Sequence, residues 1–120
     1  MELLTKKLKL LKGERIMIEI FYKSKKRDCY AEGVFNETNN SVIVKKGAKI
    51  SKKMDERFRI SKEAKKRDDK GIVNNYILKE DILFKSPSVA AQFVSGSSLN
   101  GLKVWKTINN RPLKETIERK

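Results

Sequence analysis

The sequence is organised around one stretch, Ser86-Pro87-Ser88-Val89-Ala90-Ala91-Gln92-Phe93-Val94-Ser95-Gly96. The Ser86 hydroxyl can cap the first turn of a helix, and Pro87 follows at the position where a missing N–H costs nothing. Apolar side chains then recur at helical spacing, and Gly96 stands where many helices end in the left-handed conformation. The pattern predicts a helix of roughly nine residues, called the signature helix here, which must pack on another element to be stable.

The residues after the signature helix are predicted to form a turn and then a strand. Asn100-Gly101 is a turn dipeptide, and residues 102–106 alternate apolar and basic side chains until Trp105 interrupts them. The run Ser-Pro-Ser-x-Ala-Ala, then Val-x-Gly-x-Ser-x-Asn-Gly, then Trp-Lys resembles the signature of the RAMA domain, the restriction enzyme adenine methylase-associated domain. It resembles more closely a bacterial domain of unknown function that is often carried at the C-terminus of GIY-YIG nuclease-like proteins. The resemblance is specific over residues 82–106 and extends loosely back to about residue 30.

The composition limits the class of protein. A chain of 120 residues with 38% hydrophobic residues is enough for one domain with a small core. Its 29 Lys and Arg against 15 Asp and Glu give a net charge of +14, which favours polyanions: nucleic acid first, an anionic membrane surface second. The alternative is that the charge serves solubility alone. With no signal peptide and no apolar run near the roughly 20 residues that span a bilayer, we expect a soluble, cytoplasmic protein.

The rest of the chain predicts a small α+β fold. Leucines at helical spacing predict an N-terminal amphipathic helix or connector at residues 1–13, and residues 14–120 are expected to form a single RAMA-like α+β domain. The expected fold is an antiparallel sheet of four or five strands with the short signature helix packed on one face. Alternating and β-branched patterns place the strands at residues 15–22, 29–35 and 41–46, as a meander, with a further extended piece at 76–83.

Residues 45–67, called the basic segment here, hold eleven Lys or Arg against three acids, a net charge of +8. Residues 55–70 predict a helix in which Phe58 and Ala64 face inward. Such a charge run is either a solvated face or a surface that contacts phosphates. Both readings remain open at the level of sequence.

The sequence offers few groups for catalysis. It has no histidine, and the single Cys29 has neither a disulfide partner nor a histidine to activate it. There is no phosphate-binding glycine loop. Glu80 and Asp81 are adjacent on an extended segment, so their carboxylates should point to opposite sides. We therefore predict no enzyme, no catalytic residue, no metal site and no cofactor.

Two places offer binding groups instead. Trp105 lies close to Lys103 and Lys106, a combination that can stack on a base and contact phosphate, although a sole tryptophan in a small domain also suits the core. Lys85, Ser86 and Ser88 occupy the start of the signature helix, where free amides can hold an anion or can simply be capped. Asn100 belongs to the same neighbourhood as either a turn residue or a base reader. One surface could carry all of these groups.

The resemblance implies a DNA-recognising module that accompanies restriction and methylation enzymes. We therefore expect a non-catalytic DNA-binding accessory module, linked to restriction-modification or nuclease systems and partnered by a nuclease or methylase. The alternative is a protein-interaction or scaffolding domain that docks a partner subunit or a second copy through the N-terminal helix, and RNA in place of DNA is also open. The predicted nucleic-acid-binding residues are Lys45, Lys46, Lys52, Lys53, Arg57, Lys65, Lys66, Arg67, Lys85, Ser86, Ser88, Asn100, Lys103, Trp105 and Lys106.

Overall fold

The computed structural model describes residues 17–59 and 61–118, and the chain begins there with a β-meander. Successive strands pair antiparallel, as the alternating sequence predicts, and the predicted strand positions are confirmed to within two residues at each end. The helix predicted at residues 1–13 lies outside the described residues. The strands of the meander are β1 (Met17–Ser24), β2 (Cys29–Asn36) and β3 (Ser41–Val44).

The predicted extended piece at residues 76–83 contributes to two different sheets. Its first part, β5 (Ile77–Leu78), forms a small hairpin with β4 (Val73–Asn74). Its second part, β6 (Ile82–Phe84), returns to the main sheet and pairs antiparallel with β3. The main sheet therefore has four antiparallel strands in the order β1-β2-β3-β6, in agreement with the predicted α+β class.

The signature helix forms as predicted and packs on this sheet. It is the third of five helices in the described chain: α1 (Glu56–Arg59), α2 (Lys62–Arg67), α3 (Pro87–Ser95), α4 (Gly101–Val104) and α5 (Leu113–Glu118). The Ser86 hydroxyl accepts a hydrogen bond from the Val89 amide at 3.2 Å, and Gly96 ends α3 with φ of 74°. Ala90, Ala91, Phe93 and Val94 are fully buried, where α3 contacts β2, β3 and β6. None of the helices described is long and apolar enough to cross a membrane.

The predicted helix over residues 55–70 is interrupted. It forms as two short helices, α1 and α2, because the Ser61 hydroxyl accepts a hydrogen bond from the Ala64 amide at 3.2 Å and so starts a new helix. Phe58 and Ala64 are buried, as the sequence predicts.

The strand predicted for residues 102–106 is wrong. Residues 101–104 form α4 instead, since the Asn100 side chain accepts a hydrogen bond from the Leu102 amide at 3.1 Å and acts as a helix cap. A Cβ on Gly101 would lie 2.1 Å from the Pro87 carbonyl carbon, so the two helices start in backbone contact. The chain becomes extended at Trp105, and Lys106 then forms isolated bridges to Phe21 and Pro112.

Candidate nucleic-acid interface

The basic segment is held in place by backbone hydrogen bonds to three other parts of the fold. Lys49 exchanges hydrogen bonds with Tyr30 of β2, at 2.7 and 3.0 Å. The Ile50 amide donates to the Tyr76 carbonyl at 2.7 Å, next to the β4–β5 hairpin. The Ser51 amide donates to the Val94 carbonyl of α3 at 2.8 Å. The start of the basic segment thus lies between β2, the hairpin and the C-terminal end of α3.

Burial of a few apolar side chains turns most cations of the basic segment outward. Phe58 of α1 and Ala64 of α2 face the interior, so the Lys and Arg around them project into solvent. Across the residues that the structure describes, Lys49 is the one cation of this segment with a carboxylate oxygen within 4.0 Å, that of Asp28 at 2.9 Å. The exposed cations are Lys46, Lys49, Lys52, Lys53, Arg57, Arg59, Lys62 and Lys65. Their charge is therefore largely uncompensated by ion pairs within the described fold.

Arg67 is the exception, because its side chain points inward. The residue is only 9% exposed, and its guanidinium lies over the Phe58 ring, 5.5 Å from the centroid. One nitrogen, Nη2, donates to the Ser51 carbonyl, whereas the buried Nη1 has no hydrogen-bond partner. Burial lowers the pKa of this guanidinium, which nevertheless stays protonated at neutral pH.

Arg67 and Arg27 gather at the C-terminal end of α3. The Arg27 Nε donates to the Ser95 carbonyl at 3.0 Å, and Nη1 of Arg67 lies 2.6 Å from the position that a Cβ on Gly96 would take. The last carbonyls of a helix carry partial negative charge, which favours cations there. The carbonyls at this helix end offset part of the cost of burying Arg67 without a carboxylate partner.

A cavity of about 460 Å³ opens beside Arg67. Three segments line it: residues 52 and 54 of the basic segment, residues 67, 68 and 70 at the end of α2, and residues 73–76 of the hairpin. Lys52 Nζ lies 5.5 Å from the centroid of the Tyr76 ring. Of the predicted binding residues, the structure brings Lys52 and Arg67 together here.

Sequence reasoning missed the other polar residues of this cavity. Lys70, Asn74, Asn75 and Tyr76 all line it, and none was among the predicted binding residues. A signal was present in the sequence, because an aromatic residue directly after two asparagines places a large side chain in a turn.

Other predicted cations of the basic segment lie elsewhere. Lys45 and Lys46 line a separate cavity of about 130 Å³ together with Tyr30 and Glu32. Lys66 Nζ lies over the Phe84 ring, 5.0 Å from its centroid. Lys53 and Arg57 are exposed, and Lys53 Nζ donates to the Lys26 carbonyl at 2.8 Å.

At the start of α3 the polar side chains are already engaged with the backbone. Ser86 is the helix cap, the Ser88 hydroxyl accepts a hydrogen bond from the Gly101 amide at 2.9 Å, and Asn100 caps α4. The Gly101 backbone also lies directly against Pro87 and Ser88, so it covers the first turn of α3. The geometry therefore matches the capping interpretation of these residues and leaves the first turn covered. Lys85 and Lys103 remain exposed beside it.

Trp105 lies in the core rather than on a binding surface. It is 0% exposed, its indole Nε1 donates to the Pro87 carbonyl at 3.0 Å, and its ring lies 5.9 Å from that of Tyr22. With no accessible ring face, it offers no platform for a base in this structure. Lys106 beside it is half-buried, and its Nζ donates to the Lys103 carbonyl at 3.3 Å.

The predicted binding residues fall into two groups at opposite ends of α3. Ser86 and its neighbours lie at the N-terminal end of α3, whereas Arg67 and Lys53 lie against Gly96 at the other end. A helix of nine residues separates the two groups by about 13 Å. The C-terminal end, with the basic segment and the larger cavity, holds the more concentrated charge.

Within residues 17–59 and 61–118, no three His, Cys, Asp or Glu side chains lie together where they could hold a metal ion. Cys29 is buried, and this burial raises the pKa of its thiol, so the reactive thiolate is disfavoured.

Comparison with known protein families gives one match. A family model described as a domain of unknown function, DUF4357, matches residues 21–117, a range that begins within β1 and ends one residue before the end of α5. This match does not link the chain to the RAMA domain or to GIY-YIG nuclease-like proteins. Neither the curated proteins nor the solved structures gave a match.

Proposed function

Because the chain belongs to the DUF4357 family, a domain of unknown function, we propose a function from its own surface: it is a non-catalytic DNA-binding module. The observation that carries the proposal is the basic segment, whose exposed cations lack carboxylate partners in the described fold apart from Lys49. Clustering so many cations of one sign on one face favours solubility but also costs self-repulsion, which a bound polyanion would relieve. A polyanion would supply the missing counter-charge.

The proposed mechanism is electrostatic. Lysines and arginines of α1, α2 and the preceding loop contact backbone phosphates and release the counterions condensed on the duplex. Such contacts position the protein on DNA without reading its sequence. The module holds a nucleic acid, and a partner supplies the chemistry.

The resemblance of residues 82–106 to the RAMA domain supports an accessory role beside a restriction nuclease or a methylase. Recognition of methylated adenine would need an aromatic ring that the base can reach. Trp105 is buried and cannot supply it, so an exposed aromatic ring elsewhere on the surface must contact the base.

Matched charge variants test the proposal. Lys62→Gln with Lys65→Gln removes two exposed cations from α2, and Lys23→Gln with Lys79→Gln removes two exposed cations from other elements. We expect the first pair to weaken binding to a 20-base-pair duplex about tenfold and to lower the salt dependence of log Kd by roughly one for each phosphate that is no longer neutralised. Equal effects of the two pairs would show that only net charge matters and would contradict an interface at the basic segment.

A protein-interaction domain is the second candidate, and one feature favours it. Val34, Ile43 and Leu83 pair across β2, β3 and β6 on the sheet face opposite α3, and Leu83 is 63% exposed. This face suits a second copy of the chain. Sedimentation would then show a concentration-dependent dimer that Leu83→Glu abolishes. A monomer at all concentrations would exclude dimerisation through this face.

A further inference from the structure

The cavity beside Arg67 has the charge of an anion site. Lys52, Arg67 and Lys70 contribute three cations to its walls, against one carboxylate, that of Asp68. Asp68 has no cation within 4.0 Å among the described residues, so it neutralises none of the three by direct contact. The cavity therefore carries a net positive charge that nothing in the described fold balances.

The buried guanidinium is a second sign of an anion site. Arg67 is more than nine-tenths buried, makes one hydrogen bond through Nη2, and leaves the buried Nη1 without a partner. Removing a charge from water without pairing it is costly, and an anion bound in the adjoining cavity would offset part of that cost. Exposed lysines alone would not indicate such a site.

The hairpin tip adds a planar ring to the cation cluster. Asn75 and Tyr76 have φ of 53° and 61°, as a two-residue type I′ turn requires. Asparagine adopts this conformation readily, whereas tyrosine rarely does. The tyrosine side chain is 44% exposed and lines the cavity, with Lys52 over one face of its ring. Tyr76 thus occupies a turn position that disfavours tyrosine, and its ring lies beside the cations of the cavity.

A ligand that suits these walls has both an anionic group and a planar group. The cations fit a phosphate, the Tyr76 ring fits a base by stacking, and the amides of Asn74 and Asn75 can donate to and accept from a base edge. The volume of about 460 Å³ lies within the range of about 300–1,000 Å³ typical of small-molecule sites.

We propose that this cavity binds a single nucleotide, with its phosphate against Lys52, Arg67 and Lys70 and its base against Tyr76. This inference rests on the proposed function in one respect: DNA binding is the reason to consider a nucleic acid as the source of the nucleotide. An unpaired nucleotide of a DNA strand and a free mononucleotide share the required chemistry.

Titration calorimetry on the full chain with deoxyadenosine monophosphate, deoxyadenosine and inorganic phosphate tests the site. We expect the nucleotide to bind at least tenfold more tightly than either fragment. Tyr76→Gly should reduce nucleotide affinity about tenfold and change phosphate binding much less, because the variant removes the stacking surface and the ring beneath Lys52 but none of the three cations. Lys52→Gln should weaken both nucleotide and phosphate.

Replacing Tyr76 by glycine separates an effect on nucleotide binding from an effect on folding. Glycine suits a positive φ, so Tyr76→Gly should melt at the same temperature as the wild type or higher. Tyr30→Ala is the matched control, since Tyr30 is similarly exposed but lies outside this cavity. Nucleotide binding that is absent at millimolar concentration, or that responds equally to the two tyrosine variants, would overturn the proposal.

A second arm identifies the source of the nucleotide and separates this inference from the proposed function. A duplex with one unpaired adenosine should bind more tightly than its fully paired counterpart, and Tyr76→Gly should abolish that preference. Nucleotide binding without that preference would assign the site to free nucleotides. Salt-sensitive duplex binding, with no preference for the unpaired adenosine and no nucleotide binding, would overturn the cavity proposal alone. Nucleotide binding without any duplex binding would overturn the proposed function alone.

Discussion

Single residues decide how α3 and α4 meet, and Gly101 is the clearest case. Its missing side chain lets the start of α4 lie against Pro87, where a Cβ would be 2.1 Å from backbone. We expect Gly101→Ala to lower the free energy of unfolding by about 3 kcal/mol, because neither backbone can move away without breaking its cap. Urea denaturation measures this change.

Gly47→Ala provides the control for steric contact. Gly47 has φ of 93°, but nothing lies within 4 Å of the position of its Cβ, so alanine there suffers backbone strain alone. A decrease of about 1 kcal/mol in the free energy of unfolding is expected. If Gly101→Ala were the milder of the two substitutions, the close contact between α3 and α4 would be wrong.

Asp55 makes stability depend on pH. The Ser97 hydroxyl donates to its carboxylate at 2.6 Å, and Arg27 Nη1 lies 3.2 Å away, so the pKa of Asp55 lies below its ordinary value. A depressed folded-state pKa adds stability above the unfolded value of about 3.9, and this stability is lost as pH falls through the folded pKa.

The comparison with Asp55→Asn measures that contribution. The wild type should be more stable than the variant at pH 6, and the difference should shrink steadily below about pH 4. Urea denaturation at several pH values gives the difference directly. A difference that stays constant down to about pH 2 would mean that the Asp55 carboxylate is not held as described.

The sequence was informative at the residue scale wherever the interaction is local. The caps at Ser86 and Gly96 were predictable because capping depends on residues three or four positions apart. For Trp105 the sequence left a core position and a binding position both open, since its burial depends on contacts with Tyr22 and Pro87 in other elements.

At the scale of elements, the packing of α3 on the sheet holds the fold together. Ala90 is 0% exposed where α3 meets β2 and β3, and a small side chain there allows the close approach. Ala90→Leu should overpack this contact and lower stability by roughly 1 to 3 kcal/mol. Gln92→Leu, at a partly exposed position of the same helix, should change stability by less than about 0.5 kcal/mol. An unchanged melting temperature for Ala90→Leu would argue against this packing.

Elements that depend on tertiary contacts were the ones that the sequence misplaced. Alternation over residues 102–106 predicts a strand, but the Asn100 cap and the contact of Gly101 with α3 produce a helix. The β4–β5 hairpin was equally hidden, because two-residue strands are too short to show a pattern. The cavity proposed as a nucleotide site depends on that hairpin and so was not predictable.

For the molecule as a whole, composition predicts the amount of charge but not its arrangement. The sequence places eleven cations in residues 45–67. Only the fold shows that Arg67 turns inward, that the exposed cations project from α1, α2 and adjoining loops, and that the start of α3 is covered by α4. Of the two places that the sequence names, the basic segment and the start of α3, the candidate interface that we propose lies at the first, beside the C-terminal end of α3.

If the basic segment binds DNA through phosphate contacts, the affinity must depend steeply on salt concentration, and a salt series measures that dependence. Binding of the full chain to a labelled 20-base-pair duplex, with and without N6-methyladenine, is measured between about 50 and 300 mM salt. We predict that log Kd rises linearly with log salt concentration, by about 0.9 for each phosphate neutralised, with a slope of several units that the α2 charge variants reduce. A flat response, or no binding at the lowest salt, would contradict the account and would leave partner docking as the better explanation.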